Sequence, residues 1–396
     1  MATIPPRTIS LFRALTHCPW PASTVVAPRL ALNEPIEEEH TPYYDPARFY
    51  PARVGDVLNN RYQLATKLGY GSCSTIWLAR DLNHEKYVAL EINSSAHHSR
   101  ANAAEAELDI LKHSSEANPL HKGWGFVHLA IAFEPLREPL WIYRQRFIGE
   151  VIPPAVLKIL LQMVLHGIDY LHSECHVIHA DLKPDNTMIE IEDTSLLENS
   201  ARDEYNHPLP QKIYPSGRTI YLSRNDFGIP EKTTVIIQIT DFDLSVPEIY
   251  RAFEVILDAG YSYSADIWSS GVMLWDLLEG RKLLKDIDPL EDQAQEYGEL
   301  DHLCQRSALL GPPPKGLLDK GAKTHGFYAS NDEYIKSSFI APSTFSFENS
   351  IHTIHGEDKR MFIEAVQMRL KWRPEERSTA EELLQNPWLH AEFDEN

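Results

Sequence analysis

Eight residues near the middle of the chain, His179-Ala180-Asp181-Leu182-Lys183-Pro184-Asp185-Asn186, restrict its fold more than any other stretch. They present a carboxylate, an ammonium two residues on and an amide five residues on from one turn. Phosphoryl transfer needs those three groups. A carboxylate orients the attacking hydroxyl, an ammonium neutralises charge on the moving phosphoryl group, and an amide oxygen holds Mg²⁺. Upstream, Val156, Ile159, Leu160, Met163, Val164, Gly167, Ile168 and Leu171 recur at helical spacing and predict a buried helix that ends just before the turn. Downstream, Val235 to Thr240 reads as a short apolar strand of the buried kind.

Two aspartates compete for a second metal position beside Asn186. Asp226-Phe227-Gly228 has the usual Asp-Phe-Gly spelling but lies in a polar stretch with no strand before it. Asp241-Phe242-Asp243 departs at its last letter, yet it follows the apolar strand. A metal ligand has to leave a rigid strand end, so position outweighs spelling. Asp241 is expected as the ligand and Asp226 as a turn.

Towards the N-terminus, Arg61 to Leu68, Thr75 to Arg80 and Tyr87 to Ile92 read as three strands. Gly69-Tyr70-Gly71-Ser72-Cys73-Ser74 joins the first two. Glycines there let backbone N–H groups approach phosphates with no Cβ in the way. By itself this signal is weak, because a hairpin turn looks the same; ahead of the Asp181 turn it becomes strong. Ala101 to His113 predicts a helix, and an apolar run, Phe126 to Phe133, precedes Glu134-Pro135-Leu136. Residues 190–234 form a polar insert. Helices dominate beyond it to Leu389, broken at Gly311-Pro312-Pro313-Pro314.

These landmarks fall in a recognisable order. The chain resembles a fungal-type member of the SR-protein-specific kinase family, within the serine/threonine protein kinases, over roughly residues 37–390. The resemblance rests on Phe49-Tyr50-Pro51-Ala52-Arg53-Val54-Gly55-Asp56, on Ser74 at the third glycine position and on Gly167-Ile168-Asp169-Tyr170-Leu171-His172. Ile249-Tyr250-Arg251, Tyr263-Ser264-Ala265-Asp266-Ile267-Trp268 and Ala308-Leu309-Leu310-Gly311-Pro312-Pro313-Pro314 complete it.

The resemblance implies an α+β, two-lobed kinase fold: a small β-rich lobe to about 133, a helical large lobe from about 137, the insert 190–234 and a tail 391–396. It implies ATP and Mg²⁺ as cofactors, Asp181 as base with Lys183, and Asn186 and Asp241 on the metal. Leu68, Gly69, Tyr70, Gly71, Ser72, Cys73, Ser74, Ile76, Ala89 and Glu134 would line the nucleotide site, with positions 91 and 107 supplying an ion pair. Glu254, in Ala252-Phe253-Glu254, would pair with Arg377 in the interior. Family members phosphorylate serines in Arg/Ser-rich proteins and dock these basic substrates on an acidic groove. Asp286, Asp288, Glu291, Asp292, Glu296, Glu299 and Asp301 cluster with no Lys or Arg among them, although a solvated charge run reads the same way.

Three departures set this chain apart. Val88-Ala89-Leu90-Glu91-Ile92 carries Glu91 where a phosphate-pairing Lys is expected, so that Glu91 repels both phosphates and its expected partner Glu107. Lys67 or Lys86 would have to substitute from nearby. Only 12 residues separate Asp241 from Glu254, leaving little of the loop that often carries regulatory phosphorylation. A single apolar run lies between the Glu107 helix and Glu134, where two strands are usual. A pseudokinase that binds partners without transferring phosphate is therefore the rival reading.

Composition bounds the rest. The 396 residues suffice for a two-lobed domain plus an N-terminal arm. The net charge of −20 argues against direct nucleic-acid binding and allows basic partners. No run approaches roughly 18 uninterrupted apolar residues, so no membrane partner is expected, and a monomer is. Cys18, Cys73, Cys175 and Cys304 show no paired spacing, which suits a reducing compartment; cytoplasm and nucleus are expected. Residues 1–36 loosely match a mitochondrial transit peptide, but Pro5, Pro6, Pro19, Pro21, Pro28 and Pro35 break any long helix, and a disordered arm is expected instead.

Overall fold

A computed structural model describes residues 17–41, 44–71, 73–94, 130–230, 235–241, 250–284, 299–329 and 345–393. Along the chain come strands β1 (Val57–Leu58), β2 (Tyr62–Tyr70), β3 (Ser74–Asp81), β4 (Lys86–Asn93), β5 (Ala130–Phe133) and β6 (Leu136–Pro139). Helix α1 (Pro154–Ser173), β7 (Thr187–Glu190), α2 (Ser195–Asn206), β8 (Gln211–Ile213), β9 (Thr219–Tyr221) and β10 (Ile237–Ile239) follow. The longer helices after these are α3 (Ser264–Glu279), α4 (Glu299–Leu310) and α5 (Gly356–Gln367). Two units result. The smaller holds the described residues from 17 to 94, those from 130 to Arg137, and Ile191–Gly228; the larger holds Glu138–Glu190 and the described residues from Ile229 on.

The small unit is built on an antiparallel sheet in the order β1-β2-β3-β4-β5. In β4, Val88, Leu90 and Ile92 alternate with Tyr87, Ala89 and Glu91, the period that sends successive side chains to opposite faces. Val88, Leu90 and Ile92 join Trp77, Ala79, Ala52 and Tyr221 in one apolar cluster. Leu78 and Ala65 meet Leu197 and Ala201 of α2 in another. Asp81 sets the β3–β4 turn by accepting Arg61 Nε at 2.9 Å, Arg61 Nη2 at 2.7 Å and the Asn83 N–H at 3.0 Å. Those partners hold its carboxyl well below the usual carboxylate range, the Arg61 hydrogen bond foremost.

The described part of the N-terminal arm, residues 17–36, is not disordered, which corrects the expectation from its prolines. The Trp20 N–H donates to Gln63 Oε1 and the Trp20 carbonyl accepts Gln63 Nε2, both at 2.8 Å. Arg29 and Gln211 form a parallel bridge through 2.8 Å bonds of Leu30 N to Gln211 O and Gln211 N to Pro28 O. Prolines exclude a helix here but not an extended chain docked on a sheet, and Trp20 supplies the apolar anchor. The described part of the insert, residues 190–230, folds as well. Its helix α2 and the hairpin β8–β9 belong to the small unit.

Arm, sheet and insert meet at a buried charge cluster. Glu37, Glu38 and Glu39 open a single 3₁₀ turn. The Lys67 ammonium, fully buried, pairs with Glu38, lies 3.3 Å from Glu37 and donates to the Tyr221 carbonyl at 3.1 Å. Lys212 reaches Glu39 at 2.7 Å, and Ser223 Oγ donates to Glu37 at 2.6 Å.

In the large unit, α1, α3 and α5 surround one apolar core that includes Leu161, Leu165, Trp268, Val272, Phe362 and Trp388. The length and hydropathy of α1 would suit a membrane span, yet Leu157, Leu160, Leu161, Val164, Leu165 and Ile168 are buried in this core. β10 pairs antiparallel with β7, Ile237 opposite Ile189 and Ile239 opposite Thr187. A Cβ on Gly167 would stand 2.9 Å from Ile239 Cδ1, so glycine is what lets α1 lie against β10. Glu254 and Arg377 form the expected interior pair, through 2.6 and 2.8 Å bonds. None of the four cysteines forms a disulfide.

Candidate active site

The predicted turn lies in the large unit between α1 and β7, and its three chemical groups converge. Lys183 Nζ donates to Asp181 Oδ2 at 2.7 Å. Asn186 Nδ2 donates to the same oxygen at 2.9 Å and to the Asp181 carbonyl at 3.0 Å. Asp181 is fully buried, and its other oxygen, Oδ1, accepts no hydrogen bond among the described residues. Burial pushes the Asp181 carboxyl up, against the lowering pull of Lys183 and Asn186, with the nearby Asp241 charge adding to the rise.

Asp241 follows β10, as position rather than spelling had indicated. The Thr240 N–H donates to the Asn186 carbonyl at 2.9 Å, which sets Asp241 beside the Asn186 turn. Asp226 instead accepts the Gly228 N–H at 2.9 Å within the small unit, the turn expected of it. With both Asn186 bonds falling on Nδ2, its Oδ1 is left as an open acceptor. An amide oxygen with neighbouring carboxylates is the hard donor set that Mg²⁺ takes when phosphates complete its shell, so the residues fit the ion.

The small unit carries the other expected positions. Gly69 and Tyr70 end β2 opposite Ile76 and Thr75, and the Gly71 N–H closes the turn onto the Ser74 carbonyl at 2.9 Å. The Cys73 carbonyl accepts the Ser94 N–H at 2.6 Å. Ile76 stands opposite Glu91, and Leu78 opposite Ala89, so Ile76, Ala89 and Glu91 share one sheet face near Leu68. Glu134 is exposed directly after β5. Ser72 and Glu107 lie outside the described residues, as do Asp286, Asp288, Glu291, Asp292 and Glu296; Glu299 and Asp301 belong to α4.

Neither lysine replaces the one missing at position 91. Lys67 is opposite Trp77, in the row next to that of Glu91, and its ammonium is committed to Glu37 and Glu38. Lys86 begins β4, five residues or roughly 16 Å along the strand from Glu91.

Sequence reasoning passed over the residue that holds the turn in place. Asp266, in the first turn of α3 and fully buried, accepts the His179 N–H at 2.9 Å and the Ala180 N–H at 2.8 Å. His172 Nε2 lies 2.8 Å from the same carboxylate. Ala180 has φ 61°, a left-handed conformation costing an alanine about 1 kcal/mol, and these bonds hold it there. The available signal was an Asp in the first turn of a helix whose middle is largely apolar. His179 adds a contact from its ring, Nε2 lying 3.0 Å from the Thr240 carbonyl.

Comparison with known proteins agrees with this geometry. The protein kinase domain family matches residues 62–389. A serine/threonine protein kinase of Aspergillus fumigatus is 34% identical over 418 residues, covering 96% of this chain and 98% of that protein. The serine/threonine-protein kinase SRPK of Physarum polycephalum is 28% identical, covering 89% of this chain and 91% of its own length. SRSF protein kinase 3 of Mus musculus is 34% identical over 188 residues, which are 42% of this chain and 33% of that protein. A crystallised kinase domain, 20% identical, covers 87% of this chain and 100% of its own with a TM-score of 0.60, a likeness of fold. The chain belongs to the protein kinase family, as a serine/threonine protein kinase similar to the SRPK group.

Proposed function

We propose that the chain transfers the γ-phosphoryl group of ATP to serines of Arg/Ser-rich proteins in the cytoplasm and nucleus. The observation that carries this reading is the unpartnered, buried Asp181 Oδ1. Its twin oxygen is fixed by Lys183 and Asn186, so Oδ1 is left to accept from a substrate hydroxyl. A carboxyl raised by burial is a better proton acceptor than an ordinary one, which suits a general base. Lys183 supplies the cation beside that oxygen. Asn186 and Asp241 would hold Mg²⁺, which when bound neutralises phosphate charge. The names of the relatives and the excess of acid over base, 57 residues against 37, support a basic substrate.

Glu91 favours the second reading, a pseudokinase. A carboxylate on the Ile76–Ala89 face repels the phosphates of a nucleotide held there, and the lost charge-assisted bond alone is worth ~1.5–3 kcal/mol. The two readings differ in rate, and Asp181→Asn decides between them. With an Arg/Ser-repeat peptide, ATP and Mg²⁺, slow incorporation of labelled phosphate by the native chain should fall at least a hundredfold in Asp181→Asn. Equal incorporation by both proteins, or none by either, would remove the transferase reading.

A further inference from the structure

Away from the catalytic turn, the small unit has a half-open cavity of about 200 Å³ between the N-terminal arm, the sheet and α2. We propose that it is a binding site for an uncharged, planar heteroaromatic molecule of one or two rings that carries an N–H donor. The cavity lies wholly within the small unit, and neither the catalytic turn nor the glycine turn contributes to it.

Its walls define the chemistry. Trp20 of the arm and Tyr205 of α2 meet edge to face, with centroids 5.5 Å apart and planes at 72°. The Arg80 guanidinium lies 4.5 Å over Trp20 and is tied to Gln63 Oε1 at 3.0 Å. Arg80 and Glu204 are the charged residues of the lining, one of each sign. Glu204 is 4% exposed and is matched by Arg224 at 3.0 Å, and with Arg80 of opposite sign the lining carries no net charge. That selects a neutral occupant.

Two buried polar groups of the lining, Glu204 and Tyr221, have bonding capacity left. Both hydrogen bonds to Glu204, from Arg224 Nε and the Leu209 N–H, fall on Oε2, leaving Oε1 an acceptor with no donor. The Tyr221 hydroxyl accepts the Val54 N–H at 3.4 Å and keeps its own proton unspent. Glu204 Oε1 is not among the buried atoms without a partner, so water reaches it from the cavity, and a ligand N–H would take the place of that water. Size agrees. A dry cavity of about 150 Å³ holds benzene, so one of about 200 Å³ admits a fused five- and six-membered ring.

Indazole is a suitable probe, because it is planar, neutral at pH 7.5 and carries one ring N–H. The full chain labelled with 5-fluorotryptophan is titrated with indazole and read by ¹⁹F NMR, the Trp20 resonance being assigned with Trp20→Phe. The Trp20 signal should shift saturably. Ala201→Phe, which places a ring in the cavity, should abolish the shift. Tyr221→Phe removes only the hydroxyl and should weaken binding several-fold, a check that survives if Ala201→Phe fails to fold. A Trp20 signal unmoved at millimolar indazole overturns the proposal. So does an unchanged response in a folded Ala201→Phe, or in Tyr221→Phe.

Discussion

Asp181, Lys183 and Asn186 were legible because a carboxylate, an ammonium and an amide at that fixed spacing suit few chemistries besides phosphoryl transfer, and their side chains do converge. Asp266 was not legible, since its role is to accept two N–H groups from a turn 86 and 87 residues away. Arg369 was equally silent. It is fully buried beside α3, donates to the Ala365 carbonyl, and leaves Nε and Nη2 without partners and without an ion pair among the described residues. Burial pushes its guanidinium down to about 9, so it remains charged at neutral pH. A buried charge with no counter-charge is costly. Arg369→Met, similar in volume, should therefore stabilise the chain by ~2 kcal/mol in urea unfolding. Destabilisation by as much would mean that Arg369 is meeting a need the structure does not show. Asp276 makes a pH-dependent case. Burial pushes its carboxyl up to about 7, next to the Tyr250 hydroxyl at 2.8 Å. The folded state then holds a proton that the unfolded chain, with a carboxyl near ~4, has released. Its contribution to stability is complete below ~4 and is lost as pH rises through about 7, with a slope of up to ~1.4 kcal/mol per pH unit. Asp276→Asn should flatten that part of the stability–pH curve, measured by denaturant unfolding from pH 5 to 8.

At the scale of elements, periodicity served well wherever a face is buried. The strands expected at 61–68, 75–80 and 87–92 are β2, β3 and β4, and the helix ending before the catalytic turn is α1. The arm and the insert escaped it, because their order comes from partners distant in sequence rather than from a local period. Lys67 illustrates this: a lysine in a strand reads as exposed, yet this one is buried under Glu37 and Glu38, about 30 residues earlier. Replacing both acids by glutamine would strand the ammonium in the interior. The double variant should lose ~3–5 kcal/mol of small-unit stability. Hydrogen exchange should then speed up in β2 and in the β8–β9 hairpin together, since both are tied to the same turn. Exchange confined to residues 37–40 would contradict the clamp.

For the molecule as a whole, the two-lobed kinase plan was readable from the order of the landmarks, and the matched family confirms it. The assignment of the insert to the small unit was not readable, because nothing in a polar stretch says which sheet it returns to. On the proposed reading, the machinery around Asp181 is sound and Glu91 limits it. Glu91→Lys tests this most directly, assayed for phosphate transfer from ATP with Mg²⁺ to an Arg/Ser-repeat peptide. Removing one repulsion and regaining one charge-assisted contact is worth a few kcal/mol, and each ~1.4 kcal/mol is tenfold in rate. The rate should rise at least tenfold, and Asp181→Asn in the same background should abolish the gain. A folded Glu91→Lys protein no faster than the native chain would show that Glu91 is not what limits transfer.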